Sequence, residues 1–147
     1  MDTQDKFDCL LLKNQLCFPL YACSREVVKL YKPFLDGIGL TYTQYITMMV
    51  MWERKRLNVK EAGRMLRLDS GTLTPVLKKL EEKGLITRRR SEKDERNLII
   101  EITPEGEALK ERAADIPERL AACVSLDEEE AKQLYRLLYK LMGQLEG

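Results

Sequence analysis

Two of the four cysteines in this 147-residue chain, Cys17 and Cys23, stand six positions apart in "NQLCFPLYACSRE", with Pro19 between them. A thiol is a nucleophile as its thiolate, so the element that holds it decides what it can do. Pro19 has no amide hydrogen and crowds the carbonyl four residues back, at Gln15. An unkinked helix here must therefore start at about Gln15 or Leu16. That places Cys17 in the first turn, at the positive end of the helix dipole, which favours thiolate over thiol. Cys23 lies well inside the helix, where that help has faded. Six helical residues separate two Cα atoms by roughly 9 Å along the axis, whereas a disulfide tolerates roughly 7 Å at most. Cys17 and Cys23 cannot pair without unwinding the helix; Cys9 lies before it and is not excluded by geometry. The chain has no histidine, which removes the commonest general base and most zinc sites. No metal or cofactor is expected.

The length suits one domain, and 44% hydrophobic with 33% charged residues suits a globular chain. No apolar run reaches membrane-spanning length, and the first residues do not read as a secretion signal. The expected location is the cytoplasm, where the four thiols would rest reduced and any disulfide would be a switch. The net charge of +1 hides an uneven layout. Residues 54–96 hold 14 Lys/Arg against 7 Asp/Glu, a net of +7, and the rest hold 11 against 17, a net of −6. A basic middle between acidic ends points to an anionic partner touching only the middle; a solvated charged face is the plain alternative.

The elements that must position these groups follow from periodicity and punctuation. The first helix is expected from about Gln15 to about Tyr31, with Lys32 pushed out of helical geometry by Pro33 and a turn at Gly37 and Gly39. Thr41 to Thr43 offer a cap for "QYITMMVMWERK", whose methionines and Trp52 read as core filler. "RLNVKEAGRMLRLD" gives a short extended piece and a short helix carrying Ala62, Met65 and Leu66. "DSGTLTPVLKKLEEKGLI" is the clearest helix: Asp69 and Ser70 can cap it, Gly84 stops it, and Leu73, Val76, Leu77 and Leu80 form one stripe. Pro75 belongs near a first turn, so this helix is expected to start around Gly71 or Thr72. Leu85–Arg90 and Asn97–Thr103 read as two strands with a charged tip. Thr103-Pro104 opens a helix that Pro117 kinks or ends. Ser125 and Glu128 read as a capping box for the last helix, with Leu134, Leu137, Leu138, Leu141 and Leu145 along one face.

A helix pair followed by a hairpin is the order of a winged helix-turn-helix. In such proteins the second helix enters the major groove. Ser70, Thr72 and Thr74 are short donors and acceptors there, and Lys78 and Lys79 can reach phosphates. Arg88, Arg89, Arg90, Lys93 and Arg96 put five positive charges within nine residues at the hairpin tip. Arginine there suits the narrow, negative minor groove; a solvated helix face and an edge strand protected by charge is the competing reading. The terminal helices have apolar stripes and little local sheet to cover them, which suits a dimer interface.

Over nearly its whole length the chain resembles the MarR family of bacterial transcription regulators. Within it the resemblance is to the organic hydroperoxide regulators (OhrR) and their SarZ-like relatives. It is carried by "NQLCFPLYACSRE", "LTYTQY", "LDSGTLTPVLKKLEEKGLITRRRSEKDERN" and "ITPEG". The run "DERNLIIEIT" matches the family's wing signature, in which Asp94 and Arg96 hold the tip and the arginine enters the minor groove. The resemblance implies a mainly α fold with a small β-hairpin wing, a winged helix-turn-helix in a single domain of 147 residues. Residues 10–40 and 104–147 would form the dimerisation region and 43–103 the DNA-binding region. It implies a homodimer that represses transcription from a pseudo-palindromic double-stranded operator.

The resemblance also implies roles for the sulfurs. Cys17 matches the sensor cysteine, oxidised by an organic hydroperoxide in an apolar pocket that includes Phe18 and Tyr21. Tyr31 and Tyr42 match two tyrosines whose hydroxyls bond the sensor. Tyr31 lies roughly 21 Å along the same helix from Cys17, so the bond would come from the partner subunit. Cys123 lies about where two-cysteine members carry a resolving cysteine that pairs with the sensor of the other subunit; Cys9 and Cys23 are bystanders. Sulfenic acid formation, an inter-subunit disulfide and release of DNA would follow. Three readings stay open: a one-cysteine sensor capped by a small thiol, a ligand-responsive repressor, and a broader thiol-based redox regulator. A thiol peroxidase would have no use for the basic wing, and no enzymatic activity is expected.

Overall fold

The computed structural model describes residues 5–145. Its backbone divides into two compact units, one ending at Asp115 and the other starting at Ile116.

The first unit opens with two short 3-10 turns, Asp8–Leu10 and Leu12–Asn14. Side-chain amides stitch them together. Asn14 Nδ2 donates to the Asp8 carbonyl at 2.7 Å, and Gln15 Nε2 donates to those of Cys9 (2.7 Å) and Leu11 (3.0 Å). Helix α1 (Cys17–Asp36) then begins at Cys17 itself. Pro19 is its third residue, where a missing amide hydrogen removes no intrahelical bond. The helix runs through Pro33 and does not end near Tyr31 as expected. Pro33 deprives only the Lys29 carbonyl of its donor, on an exposed stretch where water can replace it. Buried Leu35 anchors the last turn, and Lys32 pairs with Asp36 across it at 3.1 Å. The chain turns at Gly39, whose φ of +70° is left-handed.

Helix α2 (Tyr42–Arg54) is the central post of this unit, packing against α1 and three later helices. A reciprocal capping box starts it: Thr41 Oγ1 accepts from the Gln44 amide, and Gln44 Oε1 accepts from the Thr41 amide. Tyr45, Met48, Met51 and Trp52 are buried along it, while Met49 is exposed. Strand β1 (Arg56–Asn58) follows, and Asn58 caps α3 (Val59–Leu66). The turn into α4 passes through Arg67 in left-handed geometry. Helix α4 (Ser70–Glu82) starts at Ser70, with Asp69 Oδ1 accepting from the Thr72 amide at 2.8 Å. Pro75 therefore sits one or two residues deeper than expected. Leu73, Leu77 and Leu80 form its buried stripe; Val76 is only partly covered.

Strands β2 (Ile86–Arg90) and β3 (Leu98–Ile102) form the hairpin. The extended piece expected at residue 56 is a third strand, giving an antiparallel sheet in the order β1-β3-β2. Helix α5 (Pro104–Ala113) is capped by Thr103 and lies hard against the base of the hairpin. A Cβ on Gly106 would meet the Leu85 carbonyl oxygen at 2.3 Å, so only glycine fits. Thr103 Oγ1 donates to the Gly84 carbonyl at 2.6 Å, and Trp52 Nε1 donates to the Gly106 carbonyl at 2.9 Å. These bonds explain the local spelling "ITPEG".

In the second unit, α6 (Ile116–Ala121) carries Pro117 in its first turn, so the proline opens a separate short helix. Helix α7 (Glu128–Gln144) is capped by Asp127 with Glu130, two residues later than the expected pair Ser125 and Glu128. Asp127 Oδ1 accepts from the Glu130 amide at 2.8 Å and Glu130 Oε1 from the Asp127 amide at 3.1 Å. No α7 residue is buried within the single chain; Leu134, Leu137, Leu141 and Leu145 are all exposed.

Candidate functional site

The face of α4 opposite its leucines presents Ser70, Thr72, Thr74, Lys78 and Lys79, all exposed. Lys79 shares its charge with Glu82 at 3.3 Å. The Thr72 amide, then the Thr72 side chain and the Gly71 amide, hold the Asp69 carboxyl below the usual carboxylate range and keep the first turn fixed. The helix thus offers short polar side chains near its start and lysines one turn on.

The hairpin tip, residues 91–97, is folded by its own polar groups. The Ser91 amide donates to the Asn97 carbonyl at 2.7 Å, and the Asn97 amide to the Asp94 carbonyl at 2.9 Å. Asp94 Oδ1 accepts from the Arg96 amide at 3.0 Å, and Arg90 donates to the Glu95 carbonyl at 2.8 Å. Asp94 therefore shapes the tip, while the side chains of Lys93 and Arg96 are exposed on it. Arg56, Arg89, Arg90 and Lys93 border a shallow concavity of about 300 Å³ beside the hairpin.

Arg88, also expected to contact DNA, is paired within the chain. Strand alternation turns it to the side of Ile86, toward α4, and its side chain is only 22% exposed. Its guanidinium donates to Glu81 Oε1 through Nε (3.3 Å) and Nη2 (3.1 Å), while its amide donates to Oε2 at 3.0 Å. The period of two counted from Ile86 carries this signal; the run of three arginines obscures it.

The four cysteines are free and exposed. Cys17 is the first residue of an α1 that continues unbroken through Cys23, so the geometric bar to their pairing stands. Cys123 lies just past α6, its Sγ 3.5 Å from the Arg119 carbonyl oxygen. The apolar pocket expected around the sensor is not closed by one chain, since Phe18 and Tyr21 are 42% and 58% exposed. Tyr31 and Tyr42 do come together, with ring centroids 4.9 Å apart. A third ring, Tyr45, lies 5.7 Å from Tyr31 and 6.4 Å from Tyr42. Sequence reasoning missed it, although Tyr42 and Tyr45 share a helix face at i, i+3. Burial raises the phenols of Tyr31 and Tyr42 above their ordinary value, with the Tyr42 charge adding to the first. Burial, then the two neighbouring phenols, pushes Tyr45 up to about 12. All three hydroxyls stay protonated at neutral pH and can act as donors.

A capped helix presenting hydroxyls and lysines, joined to a basic hairpin, defines a winged-helix DNA-binding regulator, in a fold that MarR shares. Residues 29–113 match the family described as transcriptional regulator SarA/Rot, and the chain belongs to that family. It is 51% identical over 142 residues to the organic hydroperoxide resistance transcriptional regulator of Bacillus subtilis, covering 97% of each chain. It is 45% identical to the HTH-type transcriptional regulator SarZ of Staphylococcus aureus, over 84% of this chain and 83% of that one. Among solved structures, reduced AbfR bound to DNA superposes with a TM-score of 0.79 at 34% identity, covering 91% of this chain and 92% of that one. AbfR, of Staphylococcus epidermidis, is also known in a disulfide form, which superposes at 0.61 and 36% identity over 91% and 89%. Among the described residues no helix is long and apolar enough to cross a membrane.

Proposed function

We propose that the chain is a homodimeric, thiol-based redox repressor that holds a pseudo-palindromic double-stranded operator when reduced and releases it when an organic hydroperoxide oxidises Cys17. One observation carries this reading. Cys17 opens α1 next to an unpartnered apolar surface, on the same unit as a hydroxyl-lined helix and an arginine-tipped hairpin. The oxidant class follows the B. subtilis relative, whose name concerns organic hydroperoxide resistance.

Ser70, Thr72 and Thr74 read base edges and Lys78 and Lys79 hold phosphates. Arg90 and Lys93 flank the backbone, and Arg96 on its Asp94-shaped turn enters the minor groove. The protonated phenols of Tyr31 and Tyr42 donate to the sensor sulfur of the partner subunit, because within one chain Tyr31 is roughly 21 Å along α1 from Cys17. Phe18 and Tyr21 become pocket walls once a second chain covers them. The Cys17 thiolate attacks the terminal peroxide oxygen; the O–O bond breaks, the alcohol leaves with a proton, and Cys17 is left as a sulfenic acid. The Cys123 thiol of the partner subunit then attacks that sulfur, water leaves, and a disulfide forms. A dithiol reductant reverses it. In the cytoplasm the resting state is reduced.

A non-reducing gel after cumene hydroperoxide is expected to show a covalent dimer, absent in Cys17→Ser and Cys123→Ser. Release of DNA on oxidation is expected to fail in Cys17→Ser. Release by the Cys17→Ser protein would refute the sensor, and a persistent dimer band in Cys123→Ser would refute the pairing.

A further inference from the structure

Glu81 and Arg88 join the two parts of the molecule that would touch DNA. Glu81 lies in the last turn of α4, and Arg88 is the third residue of β2. Only Lys83, Gly84 and Leu85 separate helix from strand, and Gly84 has a φ of +75°. The near end of this link is held by the Leu85 amide on the Leu80 carbonyl at 3.0 Å. That bond fixes where β2 begins. By itself it does not stop rotation of the strand about the link, which the pairing with β3, the Thr103 amide on the Leu85 carbonyl and buried Ile86 also limit. Arg88 opposes it with one backbone and two side-chain donors on a single carboxylate. A carboxylate bridged by both oxygens fixes direction as well as distance. The same bonds hold the Glu81 carboxyl below the usual range.

We propose that Glu81 and Arg88 are positioning residues for sequence reading: their bridge sets the pitch of the wing relative to the recognition helix, so that both grooves of one half-site are met together. This rests on the repressor reading above. Its consequence runs against simple electrostatics. Glu81 is a negative charge beside a DNA-binding surface, and removing it should favour any duplex if charge alone mattered. If the bridge aims the wing, removing that charge weakens the specific site and leaves random duplex bound as well as before or better.

The test uses a duplex enriched from a random pool by the reduced wild-type protein, and a scrambled duplex of equal length. Affinities are measured across a salt series for wild type, Glu81→Gln, Arg88→Gln, the double variant and the exchange Glu81→Arg with Arg88→Glu. Each single variant is expected to lose roughly tenfold on the enriched duplex and nothing on the scrambled one, with an unchanged salt slope. The double variant is expected to be no worse than either single, and the exchange to recover part of the loss. Thermal melting screens for unfolding, and Glu81→Asp, which keeps the charge but shortens the reach, gives a second reading if Glu81→Gln is unstable. An Arg88→Gln protein whose salt slope falls by about one, with equal losses on both duplexes, would make Arg88 a phosphate contact and overturn the proposal. Tighter binding of the enriched duplex by Glu81→Gln would overturn it too. Failure of the wild type to enrich any duplex would overturn the repressor reading along with it.

Discussion

Arg96 shows how a single side chain can be prepared for its target. Its own amide is tied to Asp94, so the backbone is set while the guanidinium is free to enter a groove. Arg96→Ala is expected to weaken specific duplex binding by ~1–3 kcal/mol, read in a gel-shift titration, with little change in thermal stability. Tyr45 makes the opposite use of its setting. It is 1% exposed, and its phenol ionises near 12 in the folded chain against 10.0 ordinarily. Between those values the unfolded chain sheds the proton that the folded chain keeps, so stability falls as pH rises from about 10 to about 12. Tyr45→Phe is expected to flatten that decline in urea-unfolding midpoints taken between pH 9 and 11.5. At this scale the sequence was legible where one residue's type decided the matter, as with Pro19 and Cys17. It was not legible where a neighbour did. Arg88 reads as one of three arginines until Glu81 is placed beside it, and Tyr45 carries no signal of its own until two other rings surround it.

Among the elements, caps and stripes were the readable signals, because they depend on bonds within a few residues. Thr41, Asp69 and Thr103 each cap the helix they were expected to cap. The errors fall where two local rules fit equally well. Ser125 with Glu128 and Asp127 with Glu130 have the same spacing, and only the folded backbone chooses the second. Pro33 and Pro75 both sit inside helices, because an exposed helix can lose one hydrogen bond to water and keep its remaining contacts. The third strand was visible only as an extended piece, since its pairing partner lies over forty residues away. The junction of β2, β3 and α5 carries a sharper expectation. Gly106→Ala forces a methyl group against the Leu85 carbonyl and Ile102. It is expected to cost about 1–3 kcal/mol in denaturant unfolding.

At the scale of the whole molecule, exposure is the informative quantity. Leu16, Leu20, Val27 and Val28 in and before α1, and Leu134, Leu137 and Leu145 on and just past α7, are all open to solvent in one chain. A second copy of the chain is the proposed cover. Leu137→Lys is expected to shift the protein from dimer toward monomer in sedimentation or sizing, and to lower duplex affinity with it, since half-sites are then met singly. The chain's own periodicity announced these faces, but no sequence rule says which copy's residues meet across them.

The contact at Gly106 has a mechanical side. With no gap between the opening turn of α5 and the root of the hairpin, neither can tilt alone. A strain delivered along α5 would reach the arginine tip through this contact, by a route separate from the Glu81–Arg88 bridge that ties the tip to the groove-facing helix.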